Sequence, residues 1–269
     1  MGLFRKIEQK KKVGLCLGGG GARGFAHVGA LKALREEGLH FDMIAGTSVG
    51  SLIAGLFAAG VSPDEMEKIG DRIELKDIRS GLITPGDPLK IGSVVRGIVG
   101  DKRIEELNLP LYIVAVDLVE ARQVVFDRGL LYEAVSASCA VPVFFRPFIK
   151  GKLHLVDGGL LNNIPAETLR MVGADYVVTV DINPTRGGGT EGVGLMDVAK
   201  ATFSIMAASA SQMGLINSDV IIAPDLSAFK STSKAGYSDM IELGYKAAKE
   251  KIGEIKTLLG IKEERKKKK

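Results

Sequence analysis

The stretch VGLCLGGGGARGFAHVGALKALREE, residues 13–37, changes character twice. Val13 to Leu17 is a short apolar run of the kind that fills a strand buried on both faces. Gly18 to Gly24 is almost bare of side chains, and Phe25 to Glu37 returns to apolar residues at helical spacing. Strand, glycine loop and helix in that order bring backbone N–H groups close to a ligand, and the helix start adds partial positive charge. Such a loop holds an anion. The choices are a dinucleotide pyrophosphate, nucleotide phosphates, or a negative charge that exists only in a transition state.

The same alternation runs through the chain. Strand-like runs recur at Leu111 to Val116, Gln123 to Phe126, Lys152 to Val156, Tyr176 to Val180 and Val220 to Ile222. Helical periodicity marks Val49 to Ala59, Pro63 to Asp71, Leu130 to Ala137, Ala166 to Val172 and Leu195 to Leu215. It is clearest in Tyr237 to Leu259, where Ile241, Tyr245, Ala248, Ile252, Ile255 and Leu259 share a stripe and Ser238 or Asp239 is placed to cap the start. Apolar strands separated by helices predict an α/β fold, a three-layer α/β/α sandwich around a mainly parallel central sheet. Residues 77–101 break the rhythm with glycines and prolines among apolar residues, fitting neither a good helix nor a good strand. They read either as an apolar cover over a site or as an irregular packed connection.

Composition narrows the class. With 269 residues, 46% of them hydrophobic and 25% charged, the chain suits one large globular domain, and no apolar run reaches the roughly 20 residues of a membrane-spanning helix. The opening MGLFRKIEQKKK has no apolar h-region or cleavage site, and Lys6 stands where a myristoylation motif wants Ser or Thr. The two cysteines, Cys16 and Cys139, form no disulfide framework or metal cluster, which suits a reducing, cytoplasmic home. Net charge is only +4, but basic residues gather at both ends, so we read residues 1–12 and 261–269 as basic tails around a domain spanning 13–260. The tails suit peripheral contact with an anionic membrane surface or plain solvation. Without aromatic and basic interleaving they give no support for nucleic-acid binding.

The second glycine signature decides among the anions. Gly46-Thr47-Ser48-Val49-Gly50 follows the short apolar run Met43-Ile44-Ala45 and leads into the small-residue helix Ser51-Leu52-Ile53-Ala54-Gly55-Leu56. In a strand-to-helix turn of this kind the central serine is exposed and strained, and glycines two residues either side keep the backbone clear. A nucleophilic Ser48 attacking an acyl carbon creates an oxyanion, and the Gly18 to Gly24 loop at the end of the first strand is suited to hold it. The rival dinucleotide reading of Gly19-Gly20-Gly21-Ala22-Arg23-Gly24 wants an acidic residue ending the second strand, whereas Asp42 stands before Met43. A nucleotide P-loop lacks its G-K-[ST].

A serine nucleophile needs a base. The histidines are His27, His40 and His154. A triad of Ser48, Asp117 and His154 has the right chain order, but His154 and Asp157 are an odd number of residues apart on one strand and face opposite ways. Carboxylates at strand ends are the remaining candidates: Asp117, Asp157 and Asp181. Asp157 precedes the tight Gly158-Gly159 turn, a slight preference over the other two.

These motifs resemble the patatin-like phospholipase family: the loop Gly19 to Gly24, the turn Gly46 to Gly50 and Asp157-Gly158-Gly159 stand in the family's order. Ser136-Ala137-Ser138-Cys139-Ala140-Val141-Pro142 also resembles the family's Ser-x-x-x-Pro segment. The resemblance is to short bacterial single-domain members and implies a Ser48–Asp157 catalytic dyad without histidine. It also implies an oxyanion hole on the backbone around Gly20, Gly21 and Arg23, and neither metal nor cofactor. The Arg23 side chain is left open between that site and a structural ion pair. The expected activity is serine lipid-acyl hydrolysis of a phospholipid or lysophospholipid through an acyl-enzyme. The alternative is a regulatory or membrane-docking module that keeps the fold with little hydrolytic activity.

Overall fold

A computed structural model of the chain describes residues 11–72, 85–183 and 192–261. Among the described residues eight strands form one sheet: β1 (Val13–Leu17), β2 (Met43–Thr47), β3 (Leu111–Asp117), β4 (Arg122–Phe126), β5 (Phe148–Lys150), β6 (Leu153–Asp157), β7 (Tyr176–Val180) and β8 (Val220–Ile222). The parallel part runs β8-β7-β1-β2-β3. β4 and β6 pair antiparallel with β3, and β5 antiparallel with β6.

Alternation along β1 sends side chains to both faces of the sheet. Leu15 and Leu17 enter the larger core with α1 (Phe25–Glu36), while Cys16 packs with Met43, Ala45, Leu169 and Val177 on the other side, beneath α6 (Ala166–Met171). Burying a leucine or isoleucine of this kind contributes about 1.5–3 kcal/mol. α1 is in turn covered by α9 (Tyr237–Leu258), whose Met240, Ile241, Ala248, Ile252 and Ile255 supply the buried stripe. The two helices meet through glycines: a Cβ on Gly29 would strike the Ile241 carbonyl, and one on Gly244 the Ala26 carbonyl. α2 (Val49–Ala58), α3 (Pro63–Arg72), α4 (Leu89–Val99) and α5 (Leu131–Ser138) complete the larger core's cover.

The sandwich is as expected, with three local differences. Leu89–Val99 is a helix after all, because Ile91 and Val95 lie four residues apart and are buried while Gly92 lets α4 close onto Tyr132 and Ser136 of α5. Residues 77–84 of that segment lie outside the described residues, as do 1–10 and 262–269 of the basic ends. The periodic run from 195 divides at Ser211 into α7 (Leu195–Ala210) and α8 (Gln212–Ile216), where Gly214 sits against the Ile164 backbone. α9 starts without a side-chain cap from Ser238 or Asp239: Gly236, at φ 74°, makes the turn into it. Among the described residues no helix is long and apolar enough to cross a membrane.

Candidate active site

The turn from β2 into α2 puts Ser48 at φ 54° and ψ −129°, a conformation L-residues avoid and a turn must hold by force. The glycines around it explain how it fits. A Cβ on Gly46 would strike the Gly50 carbonyl, and one on Gly50 the Leu17 carbonyl at the end of β1. Hydrogen bonds then fasten the turn: the Ser48 N–H donates to Ser138 Oγ at 2.8 Å, Ser138 Oγ–H donates to the Val114 carbonyl at 2.6 Å, and Ser51 Oγ–H donates to the Ser48 carbonyl at 2.6 Å.

Asp157 reaches this turn through strand register. β2 pairs with β3 as far as Thr47 opposite Val114, and β6 begins on the adjacent residue with Asp157 opposite Ala115. Val114 faces both Thr47 and Val125, and Ala115 both Val124 and Asp157, so β4 holds one edge of β3 while β2 and β6 share the other. The two strands therefore meet end to end, and their last residues lie side by side. Gly158 permits the junction, since a Cβ there would strike the Val114 carbonyl.

The carboxyl of Asp157 is 1% exposed. Its Oδ1 accepts the Gly159 N–H at 2.7 Å, and its Oδ2 has no hydrogen-bond partner among the described residues. Burial pushes its pKa up to about 6, opposed by the Ser48 hydroxyl and the Gly159 N–H. The Ser48 hydroxyl thus favours the carboxylate, although no hydrogen bond between the two side chains is formed among the described residues.

The glycine loop becomes a 3₁₀ turn over Gly21–Gly24. Its flanks are anchored: Gly18 N–H donates to Val180, Gly19 N–H to Asn163 and Ala22 N–H to Ser231, all carbonyls. The N–H groups of Gly20 and Gly21 between them donate to no carbonyl or side chain among the described residues. Gly21 has φ 60° and no room for a Cβ beside the Ser231 carbonyl, and Gly24 lies against Val49, next to the nucleophile turn. The Arg23 guanidinium binds neutral partners: Nε donates to the Phe229 carbonyl at 2.9 Å and Nη1 to Asn183 Oδ1 at 2.7 Å, with no carboxylate partner among the described residues. Asn183 Nδ2 donates back to the Gly19 carbonyl at 2.7 Å, so arginine and asparagine clamp the loop together. Buried His27 donates Nε2–H to the Gly18 carbonyl at 2.8 Å, and burial drops its pKa to about 4, leaving it neutral.

A cavity of about 660 Å³ opens onto Ser48, Asp157 and Gly20 to Gly24, with walls of Leu52, Ile53 and Leu56 from α2, Ile91 and Val94 from α4, and Phe203 from α7. Its size and apolar lining are those of a small-molecule site. The other candidates lie elsewhere. His154 and His40 are exposed, and β6 turns His154 away from Asp157 as the spacing predicts. Asp117 is buried at the end of β3 and accepts the Val119 and His154 N–H groups through Oδ1; Asp181 accepts the Asn183 N–H. Cys139 lines the cavity with its thiol pushed well up by burial and the nearby Asp157 charge. Among the described residues no cluster of three or more His, Cys, Asp or Glu side chains could hold a metal ion. Ser138, Asn163 and Asn183 are site residues that motif reading passed over, although Ser138 and Pro142 are the serine and proline of the Ser-x-x-x-Pro segment.

A helix-covered, mainly parallel sheet with a strained serine turn beside a glycine loop defines an α/β/α sandwich with its candidate site at the strand ends. The family model for patatin-like phospholipase matches residues 15–170, and the chain belongs to that family. An NTE family protein of Mycobacterium tuberculosis is 39% identical over 184 residues, covering 66% of this chain and 51% of its own. Patatin-like phospholipase domain-containing protein 6 of Homo sapiens is 35% identical over 182 residues, covering 63% of this chain and 13% of its own. The chain thus spans about half the length of the mycobacterial relative and a small part of the human one. Among solved structures, VipD from Legionella pneumophila superposes with a TM-score of 0.60 at 14% identity, over 90% of this chain and 66% of that one. Human GIVD cytosolic phospholipase A2, solved with methyl gamma-linolenyl fluorophosphonate, gives 0.53 at 10% identity, over 93% and 59%. At these identities the likeness is one of fold.

Proposed function

We propose that the chain is a serine lipid-acyl hydrolase that cleaves a carboxylic ester of a phospholipid or lysophospholipid through a Ser48–Asp157 dyad. The observation that carries the reading is the strained Ser48 beside a buried Asp157 whose Oδ2 is unpartnered, both opening onto one apolar cavity. Ser48 Oγ attacks the ester carbon and its proton passes to Asp157 Oδ2, while Gly159 N–H steadies Oδ1. The carbonyl oxygen takes the negative charge and is met by the Gly20 and Gly21 N–H groups, the role suggested for the loop Gly19, Gly20, Gly21, Ala22, Arg23 and Gly24. Collapse expels the alcohol, which takes the proton from Asp157 and leaves an acyl group on Ser48. Water, deprotonated by the same carboxylate, then attacks the acyl carbon, and the bond to Ser48 Oγ breaks as Oγ takes that proton back from Asp157, releasing the fatty acid and restoring the dyad. A base near pKa 6 suits this chemistry at neutral pH better than an ordinary aspartate. The apolar walls accommodate the acyl chain.

Fluorophosphonate labelling of the intact protein, with Ser48→Ala as control, tests the nucleophile, and release of fatty acid from a lysophospholipid panel tests the substrate class. Labelling without Ser48 dependence would overturn the assignment. With the reading goes the expectation of a cytoplasmic enzyme whose basic tails, residues 1–12 and 261–269, meet anionic membrane. Vesicle binding by a chain lacking those residues, compared at low and physiological salt, checks that part.

A further inference from the structure

α7 and α8 carry a surface at odds with a water-facing helix. α7 has no buried residue, yet it is rich in apolar side chains. At 3.6 residues per turn, Lys200, Phe203 and Ala207 fall on the side that lines the cavity. Leu195, Val198, Thr202 and Met206 fall on the opposite side of α7, and Met213 and Ile216 of α8 are exposed as well, Leu195 88% and Ile216 75%. The only charged residues from 195 to 216 are Asp197 and Lys200, and neither lies in that outer stripe. Ile205 joins the two sides: it lines the cavity and is still 64% exposed, so the apolar wall continues onto the outer surface.

We infer that the outer stripe of α7 and α8 docks the protein onto an anionic lipid surface, beside the cavity that receives the acyl chain. The inference rests on the lipid-acyl hydrolase reading for what enters the cavity. Charge supports the choice of occupant. Lys200 lies over the Phe144 ring at the cavity wall, Lys230 is exposed beside the cavity-lining Ser231, and neither forms an ion pair among the described residues. An apolar stripe that Ile205 joins to the cavity, with exposed ammonium groups at and beside the cavity wall, matches acyl chains beneath anionic headgroups. Area argues against a second copy of the chain. The stripe is roughly 30 Å long by one helix width of about 10 Å, well under the ~800 Å² per partner of a standard protein interface.

The test is flotation of the full chain with vesicles of phosphatidylcholine alone or mixed with phosphatidylglycerol, comparing wild type with the triple variant Leu195→Gln, Met206→Gln, Met213→Gln. These side chains are exposed and stand outside the cavity, so hydrolysis of a soluble short-chain ester serves as the check on folding. Wild type is expected to partition onto the mixed vesicles more tightly than onto phosphatidylcholine, and the variant at least tenfold more weakly than wild type with ester hydrolysis unchanged. Equal partition of wild type and variant would overturn the docking surface. So would a wild-type dimer in sedimentation equilibrium that the variant converts to monomer, since the stripe would then be a contact between copies. If the variant loses vesicle binding while the wild type takes no fluorophosphonate and cleaves no ester, the docking surface stands and the hydrolase reading falls.

Discussion

Ser138 Oγ receives the backbone N–H of Ser48 at 2.8 Å and passes its own hydrogen to the Val114 carbonyl at 2.6 Å. The last residue of α5 thus ties the strained turn to the strand beside it. Ser138→Ala leaves the buried Ser48 N–H unpaired, a loss of about 1–3 kcal/mol, and removes a donor from the Val114 carbonyl. The variant is expected to unfold at lower urea and to lose kcat on a soluble ester while KM changes little, because the turn relaxes away from its reactive geometry. Ser138→Thr, which keeps the hydroxyl, should recover part of kcat. An alanine variant with full kcat would mean that the glycines alone hold the turn.

Much of this arrangement is legible in the sequence, and the illegible part has a common cause. Glycine spacing reports local backbone demands, so the Gly19 to Gly24 loop and the Gly46 to Gly50 turn can be read directly. Periodicity reports which faces are buried, and it locates α1, α2 and α9 within a residue or two. Neither signal reports long-range pairing. That β2 and β6 end against each other on one edge of β3, joining Ser48 to Asp157, depends on register between segments about 110 residues apart. Leu89–Val99 was obscured by Gly92 and Gly97, where Gly92 serves close packing on α5 rather than breaking the helix. The rise in the Asp157 pKa likewise comes from burial that no local pattern announces.

Ser48→Ala and Asp157→Asn should each lower kcat/KM for a soluble ester by on the order of 10³-fold, and the double variant should be no worse, since the two act as one unit. His154→Ala should retain wild-type activity because the side chain is exposed on the outer face of β6. Should His154→Ala match the serine variant while Asp157→Asn stays active, a histidine triad would replace the dyad.

Arg23→Lys isolates the clamp on the glycine loop. Lysine keeps the charge but cannot reach the Phe229 carbonyl and Asn183 Oδ1 in the planar fork that arginine makes. The Gly20 and Gly21 N–H groups should then be held less firmly where the oxyanion forms. The expected result is about a tenfold fall in kcat with KM little changed, the pattern of an interaction made mainly in the transition state. A rise in KM at constant kcat would assign the loop to binding the ground state.

The buried carboxyl of Asp157 links activity and stability to pH in opposite directions. As a base it must be ionised, so kcat/KM should fall as pH drops, with a midpoint near its pKa of about 6. For stability, the folded pKa of about 6 stands above the ordinary 3.8, so the folded state favours the neutral form. That contribution is fully present below about pH 4 and is lost as pH rises through 6, a change of up to about 3 kcal/mol at 1.36 kcal/mol per pH unit. His27, held down to about 4 by burial, acts the other way, destabilising the fold as pH falls from about 6.5 toward 4. Comparing wild type with Asp157→Asn removes the histidine contribution, because both proteins carry it. The variant keeps a neutral side chain at every pH, so urea unfolding should show it gaining on wild type by about 2–3 kcal/mol between pH 4 and pH 8. A constant gap between the two proteins across that range would show that Asp157 ionises in the fold as readily as in water, and the burial argument for its basicity would fail with it.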